Sequence, residues 1–484
     1  MSMQFQELFA YTPDWILESI PKLSLVNLMS CLKNSVGDFY VANPGTSVFL
    51  CVFMLYYVYY LKNVVKKPEL VCSNETFRQF LIENCPIIDE EFKPTVWCSS
   101  HHGQTLLSNT IRMAIVPIPQ YRREFVPVDD DVPPKPGQNR EFNMSKSKNS
   151  TVTLDWYEGP GPTIQLPDGQ KFYAELLEKY NVEDFVYSPK ISEDDGKPIA
   201  VFYPGLVGDS QTEYVRTAVI MANSLGYKTC VFNNRSRGGL LLKTPRLYCA
   251  ANYDDLEASL QHIKMTHPNS KIVAIGISLG GIVLCRYLAE RGDDALVDAA
   301  MLVSVCFDFR AGLASLTEPG FNSMLNLHLT KSLIRLVEEN REILEKTGKY
   351  DIDEIIASKN LAQFDERFTH KMWNYSSVEE YHEDASNKNR IHKIRKPTLC
   401  INAADDIFCP YSALPLKQIQ DNPKCAMLVT ARGGHIGWMD TNLAILKPAL
   451  FYLERLIVQF LEAVKNKTSD EILNNSKFKQ AIFD

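Results

Sequence analysis

Apolar and polar positions divide this chain into stretches of different character. Between Phe39 and Leu61 no residue is charged, and 48–61 is almost wholly apolar. A helix over 46–65 would span about 30 Å, the thickness of a bilayer's hydrocarbon core, so a single transmembrane helix is expected there. Tyr56, Tyr57, Tyr59 and Tyr60 suit an interfacial aromatic belt, with Lys62 snorkelling at the boundary. From Ile199 onward the rhythm changes to short apolar, β-branched runs separated by helical patterns. Runs at 199–203, 227–233, 271–275, 299–305, 397–404 and 426–430 read as buried strands. Helical periodicity occupies 254–267, the stretch opening at Gly281, most of 307–396, and 448–464. Alternation of this kind predicts a doubly wound, mostly parallel α/β sheet. Residues 125–128 and 151–156 read as preceding antiparallel strands, and the polar stretches 129–150 and 159–198 as exposed loops.

The expected division is an amino-terminal segment 1–45, a membrane helix 46–65, a juxtamembrane region 66–120, a catalytic domain 121–470 and a tail 471–484. The helical stretch 307–396 lies between strands and carries Phe321, Phe364, Phe368, Trp373 and Tyr375. It reads as a cap over an apolar pocket. Lys62, Lys66 and Lys67 follow the apolar span while Lys33 and Asp38 precede it, which leans the carboxyl-terminal side toward the cytoplasm.

Gly276-Ile277-Ser278-Leu279-Gly280 sits between the 271–275 strand and the next helix. A serine on such a sharp strand-to-helix turn needs small flanking residues, and Gly276, Gly280 and Gly281 supply them. Ser278 is the candidate nucleophile, with the helix N-terminus aiming free N–H groups at the chemistry. His435, in a glycine-lined loop after 426–430, is the candidate base. The candidate acid follows the 397–404 strand, where Asp405 and Asp406 compete. Asp406 is favoured because its spacing to Pro410 forms a D-x-x-x-P turn, leaving Asp405 to point away and cap the turn. The amides of Leu279 and of Leu206, in the glycine loop after 199–203, are the candidate oxyanion donors. The chain order serine, aspartate, histidine matches that of a nucleophile-elbow hydrolase.

Composition narrows the partners. A formal net charge of −7 without a basic, aromatic-interleaved stripe argues against nucleic acid. Twelve cysteines show no C-x-x-C pairs, so neither a zinc site nor a dense disulfide framework is expected, and no cofactor is called for.

Longer strings carry a family resemblance. They include Lys66-Lys67-Pro68, the 94–98 string with Gln104-Thr105, Tyr121-Arg122-Arg123-Glu124, Leu154-Asp155-Trp156 and Pro204-Gly205-Leu206. They continue through Asn233-Asn234-Arg235, the strings 244–249, 364–369 and 402–406, and Gly433-Gly434-His435-Ile436-Gly437. On these the chain resembles the membrane-anchored abhydrolase-four family of α/β-hydrolase-domain lipases, above all its medium-chain phosphatidylcholine phospholipase branch. The resemblance implies an α/β-hydrolase fold with a helical cap and a single-pass anchor, in the endoplasmic reticulum membrane. It also implies a triad of Ser278, Asp406 and His435, and a lipid ester substrate, phosphatidylcholine or an acylglycerol. The turn near Asp129-Asp130, the link to the Pro204 loop and Arg235-Ser236-Arg237-Gly238-Gly239 depart from the family pattern. Two other readings stand beside hydrolysis. His435 and Asp440 form an H-x-x-x-x-D pattern used by some acyltransferases, and a lipid-binding receptor could be built on the same fold without turnover.

Overall fold

A computed structural model describes residues 44–128, 149–159, 194–440 and 450–474. The expected amino-terminal segment, most of both polar loops and the end of the tail lie outside these residues. The chain separates into two compact units, 1–66 and 67–484.

Within the first unit, helix α1 covers Pro44–Tyr59 and passes into a π-turn at Tyr60–Val64, where the Val65 N–H donates to the Tyr60 carbonyl at 3.0 Å. The 16 residues of α1 span about 24 Å, short of a hydrocarbon core of about 30 Å. No helix among the described residues is long and apolar enough to cross a membrane, so the expected helix over 46–65 is not reproduced. Regular α hydrogen bonding stops where the polar Lys62 and Asn63 enter, and the Asn63 side-chain Nδ2 donates to the Tyr59 carbonyl. Phe49, Leu50, Val52, Phe53, Met54 and Leu55 remain exposed.

Among its described residues the second unit is built on nine strands in the order β1-β9-β8-β7-β6-β4-β5-β3-β2. They are β1 Glu69–Val71, β2 Tyr121–Val128, β3 Ser150–Tyr157, β4 Ile199–Tyr203, β5 Lys228–Asn233, β6 Ile272–Ile277, β7 Ala299–Val303, β8 Thr398–Ala403 and β9 Cys425–Thr430. Strands β5, β4, β6, β7, β8 and β9 run parallel to one another. The pairs β2–β3, β3–β5 and β1–β9 are antiparallel. The sheet is therefore mixed, with a parallel centre. Alternation along β4 shows why its residues are uniformly apolar. Ile199, Val201 and Tyr203 enter the core on one face, and Ala200 and Phe202 the core on the other.

Helices cover both faces. On one lie α2 (Glu75–Asn84), α4 (Glu213–Ser224) and α10 (Tyr452–Val464), all feeding the core that holds Phe77, Val215 and Phe460. On the other lie α5 (Asp254–Thr266) and α6 (Leu279–Arg291), with Leu260 and Leu284 in the core. Asp254, Asp255 and Glu257 in the first turn of α5 and Lys264 in its last complement the helix dipole. The segment between β7 and β8 folds as helices α7 (Phe309–Leu316), α8 (Phe321–Glu339) and α9 (Val378–Ala385) with shorter turns between them. Leu336, Val337, Phe368 and Tyr381 pack it onto the same core as α5 and α6.

The region expected as a juxtamembrane link over 66–120 is instead woven into the second unit. Strand β1 forms the edge of the sheet against β9, pairing Glu69 with Val429 and Val71 with Met427. Helix α3 (His101–Ile115) buries Gln104, Thr105, Ser108, Ile111 and Arg112. The local pattern missed it because a three-residue strand carries no period of its own. The inward face of α3 is mostly polar, held by hydrogen bonds to distant loops rather than by an apolar stripe.

Candidate active site

Ser278 caps α6 with φ +53° and ψ −118°, a left-handed conformation that a serine adopts only under constraint. Its N–H donates to the Val303 carbonyl at 2.8 Å. The flanking glycines are required by contact. A Cβ on Gly280 would stand 2.1 Å from the Tyr203 carbonyl oxygen, and one on Gly276 would stand 2.7 Å from the Gly281 Cα. The ends of β4 and β6 thus close on the turn and push the hydroxyl outward.

Asp406 follows β8. Its N–H donates to the Ala403 carbonyl at 3.2 Å, and its Oδ1 accepts the Phe408 N–H at 2.8 Å, a local turn that aims the carboxylate. The His435 ring lies between acid and serine. Nδ1 is 2.9 Å from Asp406 Oδ2 and 3.1 Å from Oδ1, and Nε2 is 2.9 Å from Ser278 Oγ. Asp406 is 2% exposed and His435 8%, so the chain of bonds is shielded from competing water. Phe408 packs on the imidazole with ring centroids 4.2 Å apart. Residues 278, 406 and 435, far apart in sequence, are thus brought within hydrogen-bonding reach in the order acid, imidazole, hydroxyl.

Asp405 turns to the other loop. Its Oδ1 accepts the Gly434 N–H at 2.9 Å, and Arg432 lies 3.7 Å from Oδ2. Burial pushes its carboxyl up to about 6, against the opposing pull of the Gly434 N–H and Arg432. It braces the histidine loop instead of orienting the ring.

That loop is strained, with Gly434, Ile436 and Trp438 all at positive φ. Residues that sequence reasoning did not single out as functional hold it. The Thr105 hydroxyl accepts the His435 N–H at 2.9 Å, and the Ser304 hydroxyl accepts the Ile436 N–H at 3.1 Å. The Arg112 guanidinium donates to the Ile436 and Gly437 carbonyls at 2.8 and 2.9 Å while Nε meets Glu454 at 2.6 Å. Arg112 is the lone Lys or Arg of α3 and points inward, a signal that could have marked it.

Opposite the histidine, Pro204-Gly205-Leu206-Val207-Gly208 leans over the serine. A Cβ on Gly205 would stand 3.2 Å from Ser278 Cβ. Among the described residues neither the Leu206 nor the Leu279 amide has a hydrogen-bond acceptor, as a pair of oxyanion donors requires.

A family model described as serine aminopeptidase, S33 matches residues 248–426, a span holding Ser278 and Asp406. Phospholipase ABHD3 of Bos taurus is 32% identical over 426 residues, covering 88% of this chain and 91% of the relative. The chain belongs to the abhydrolase-four family. Other abhydrolase-four relatives include monoacylglycerol lipase ABHD2 of Homo sapiens, 24% identical, with 84% of this chain and 87% of that protein covered. Monoacylglycerol lipase of Saccharomyces cerevisiae is 32% identical over a shorter stretch, 52% of this chain and 57% of the relative.

Two side groups of this abhydrolase-four site complete the description. Asp440, the second member of the H-x-x-x-x-D pattern, is paired with Arg455 of α10 and forms no bond to the triad among the described residues. Cys409 lies beside Asp406 and His435. Burial raises its thiol above the ordinary range.

Proposed function

We infer that this abhydrolase-four protein is a serine hydrolase that cleaves carboxylic ester bonds of lipids, phospholipids or acylglycerols. One observation carries the reading: the unbroken line from Asp406 through the His435 imidazole to Ser278 Oγ, each link 2.9 Å at its shortest. Relatives named phospholipase and monoacylglycerol lipase support a lipid ester as substrate.

In the proposed cycle His435 Nε2 takes the Ser278 proton as Oγ attacks the ester carbonyl. Asp406 holds the ring and stabilises the imidazolium. The Leu206 and Leu279 amides receive the oxyanion. His435 then protonates the departing alcohol, leaving an acyl-serine. Water, activated by the same imidazole, releases the fatty acid. The exposed apolar side chains of α1 favour association with a lipid surface, which would hold the domain beside its substrate. Pairing of Asp440 with Arg455 gives the acyl-transfer reading no support from geometry.

Lipid profiling of membranes incubated with the full chain or with Ser278→Ala tests the reading, alongside fluorophosphonate labelling. The variant loses both hydrolysis and labelling; retention of either moves the nucleophile elsewhere. Lipid binding without turnover by the unaltered chain would establish a receptor instead, and product formed only with an added acceptor alcohol an acyltransferase.

A further inference from the structure

The loop after β4 has to hold one backbone N–H toward the oxyanion while its neighbours stay out of the way. Its conformation is not relaxed. Val207 has φ +52°, an angle that a β-branched side chain strongly disfavours. Left to itself, this residue would relax and swing the preceding peptide. Three hydrogen bonds oppose that. The Gly205 N–H donates to the Tyr214 hydroxyl at 3.1 Å, the Val207 N–H to the Tyr248 hydroxyl at 3.1 Å, and the Gly208 N–H to the Gly205 carbonyl at 3.0 Å. Of the amides from 205 to 208, those of 205, 207 and 208 are thereby tied, and the one left free is that of Leu206.

The tie at Gly205 also sets direction. In a trans peptide the C=O and N–H point to opposite sides, so anchoring the Gly205 carbonyl inward on Gly208 turns the Leu206 N–H outward. Space around the struts is closed. A Cβ on Gly205 would stand 3.0 Å from the Tyr214 hydroxyl, and one on Gly208 3.2 Å from it. Burial pushes the Tyr248 phenol up to about 12 and the Tyr214 phenol higher, so both stay neutral, with lone pairs to accept an amide. Tyr214 stands on α4, whereas Tyr248 borders a pocket that Pro204 and Leu279 also line. The struts thus reach the loop from separate parts of the fold.

We propose that Tyr248 and Tyr214 are positioning residues of the oxyanion hole, their hydroxyls holding strained Val207 and Gly205 so that the Leu206 N–H meets the developing oxyanion. The proposal rests on the serine-hydrolase reading above. The effect of both hydroxyls passes through the Leu206 amide.

The test compares the full chain with Tyr248→Phe, Tyr214→Phe and Ser278→Ala in detergent, using a soluble p-nitrophenyl ester. Its second arm is inhibition by a trifluoromethyl ketone, whose serine adduct carries an oxyanion, and by an unreactive ether analogue of the ester. Tyr248→Phe lowers kcat about 10-fold, less than the roughly 10²–10³ lost when an oxyanion donor is itself removed. KM and ether affinity stay unchanged, and ketone affinity falls by the same factor as kcat. Tyr214→Phe behaves alike. Thermal midpoints near that of the unaltered chain exclude simple unfolding, and if Tyr214→Phe does not fold, Tyr248→Phe decides alone. Unaltered kcat and ketone affinity, or a change confined to KM, overturns the proposal while leaving the triad standing. Activity surviving in Ser278→Ala overturns the underlying reading, whatever the tyrosine variants do.

Discussion

Arg112 offers the most direct check on how the histidine loop is held. Its side chain is 2% exposed and its partner Glu454 3%, so both charges lie out of water. The guanidinium meets Glu454 at 2.6 Å and donates to two loop carbonyls within one turn of His435. Arg112→Met keeps much of the apolar stem but leaves the Glu454 carboxylate buried and alone. Breaking a buried pair from one side costs about 3–5 kcal/mol, because the surviving charge keeps its desolvation penalty. The unit from Lys67 to Asp484 gains about 2.1 cal/mol/K of unfolding entropy per residue, so 4 kcal/mol lowers the midpoint by about 5 °C. Arg112→Met with Glu454→Gln removes the lone charge and regains most of that stability. It does not restore donors to the Ile436 and Gly437 carbonyls. The double variant therefore melts near the unaltered chain yet reacts several-fold more slowly with a fluorophosphonate, since His435 is less firmly placed. The assay is a thermal melt in detergent paired with labelling rates. A single variant that loses under about 1 kcal/mol refutes the buried-charge argument. A double variant that labels at the normal rate refutes the clamp.

Three further outcomes separate neighbouring residues by role. Asp406→Asn lowers kcat by about 10⁴ by losing the group that orients the imidazole, whereas Asp405→Asn, which can still accept the Gly434 N–H, stays within about 10-fold; equal losses in a steady-state ester assay would reverse the assignment. Asp405 also predicts a pH slope. Its carboxyl is raised from 3.8 to about 6, so the folded state holds the proton more tightly than the unfolded chain. The stability gained is present below about pH 4 and is lost as pH rises through about 6, by at most about 3 kcal/mol. Asp440, also raised to about 6 by burial, adds a slope of the same sign. Melts across pH 4–7 show a shallower decline in Asp405→Asn, and an unchanged decline counts against this origin. Gly280→Ala places a methyl 2.1 Å from the Tyr203 carbonyl oxygen. It eliminates labelling and depresses the melting midpoint, and a labelled, stable variant would contradict the elbow packing.

Short-range rules explain what was readable in the chain by itself. Every strand from β4 to β9 is a largely apolar run near its expected place, because burial on both faces favours apolar residues on successive positions. The nucleophile elbow was legible for the same kind of reason: a serine at φ +53° between closing strands admits only glycine around it. The order of the three catalytic candidates, and a helical insertion between β7 and β8, were readable from position in the alternating pattern.

Tertiary structure alone decided the rest, because these features depend on which distant backbone groups meet. Spacing to Pro410 favours Asp406 over the adjacent, chemically alike Asp405, but that Asp405 meets the Gly434 N–H is set only by the fold. Thr105 and Arg112 serve a loop more than 300 residues away, through an α3 face too polar to register as core. Tyr214 and Tyr248 carry no local signal of a role at the site, and each accepts one particular loop amide. The apolar span near the amino terminus stood out in composition, yet where its α-helical hydrogen bonding ends, at Tyr59, was settled by backbone geometry. Glycine sterics and hydrophobic period act within a few residues and so can be read along the chain. Hydrogen-bond partners are chosen by packing, which brings together groups whose separation in sequence carries no signal.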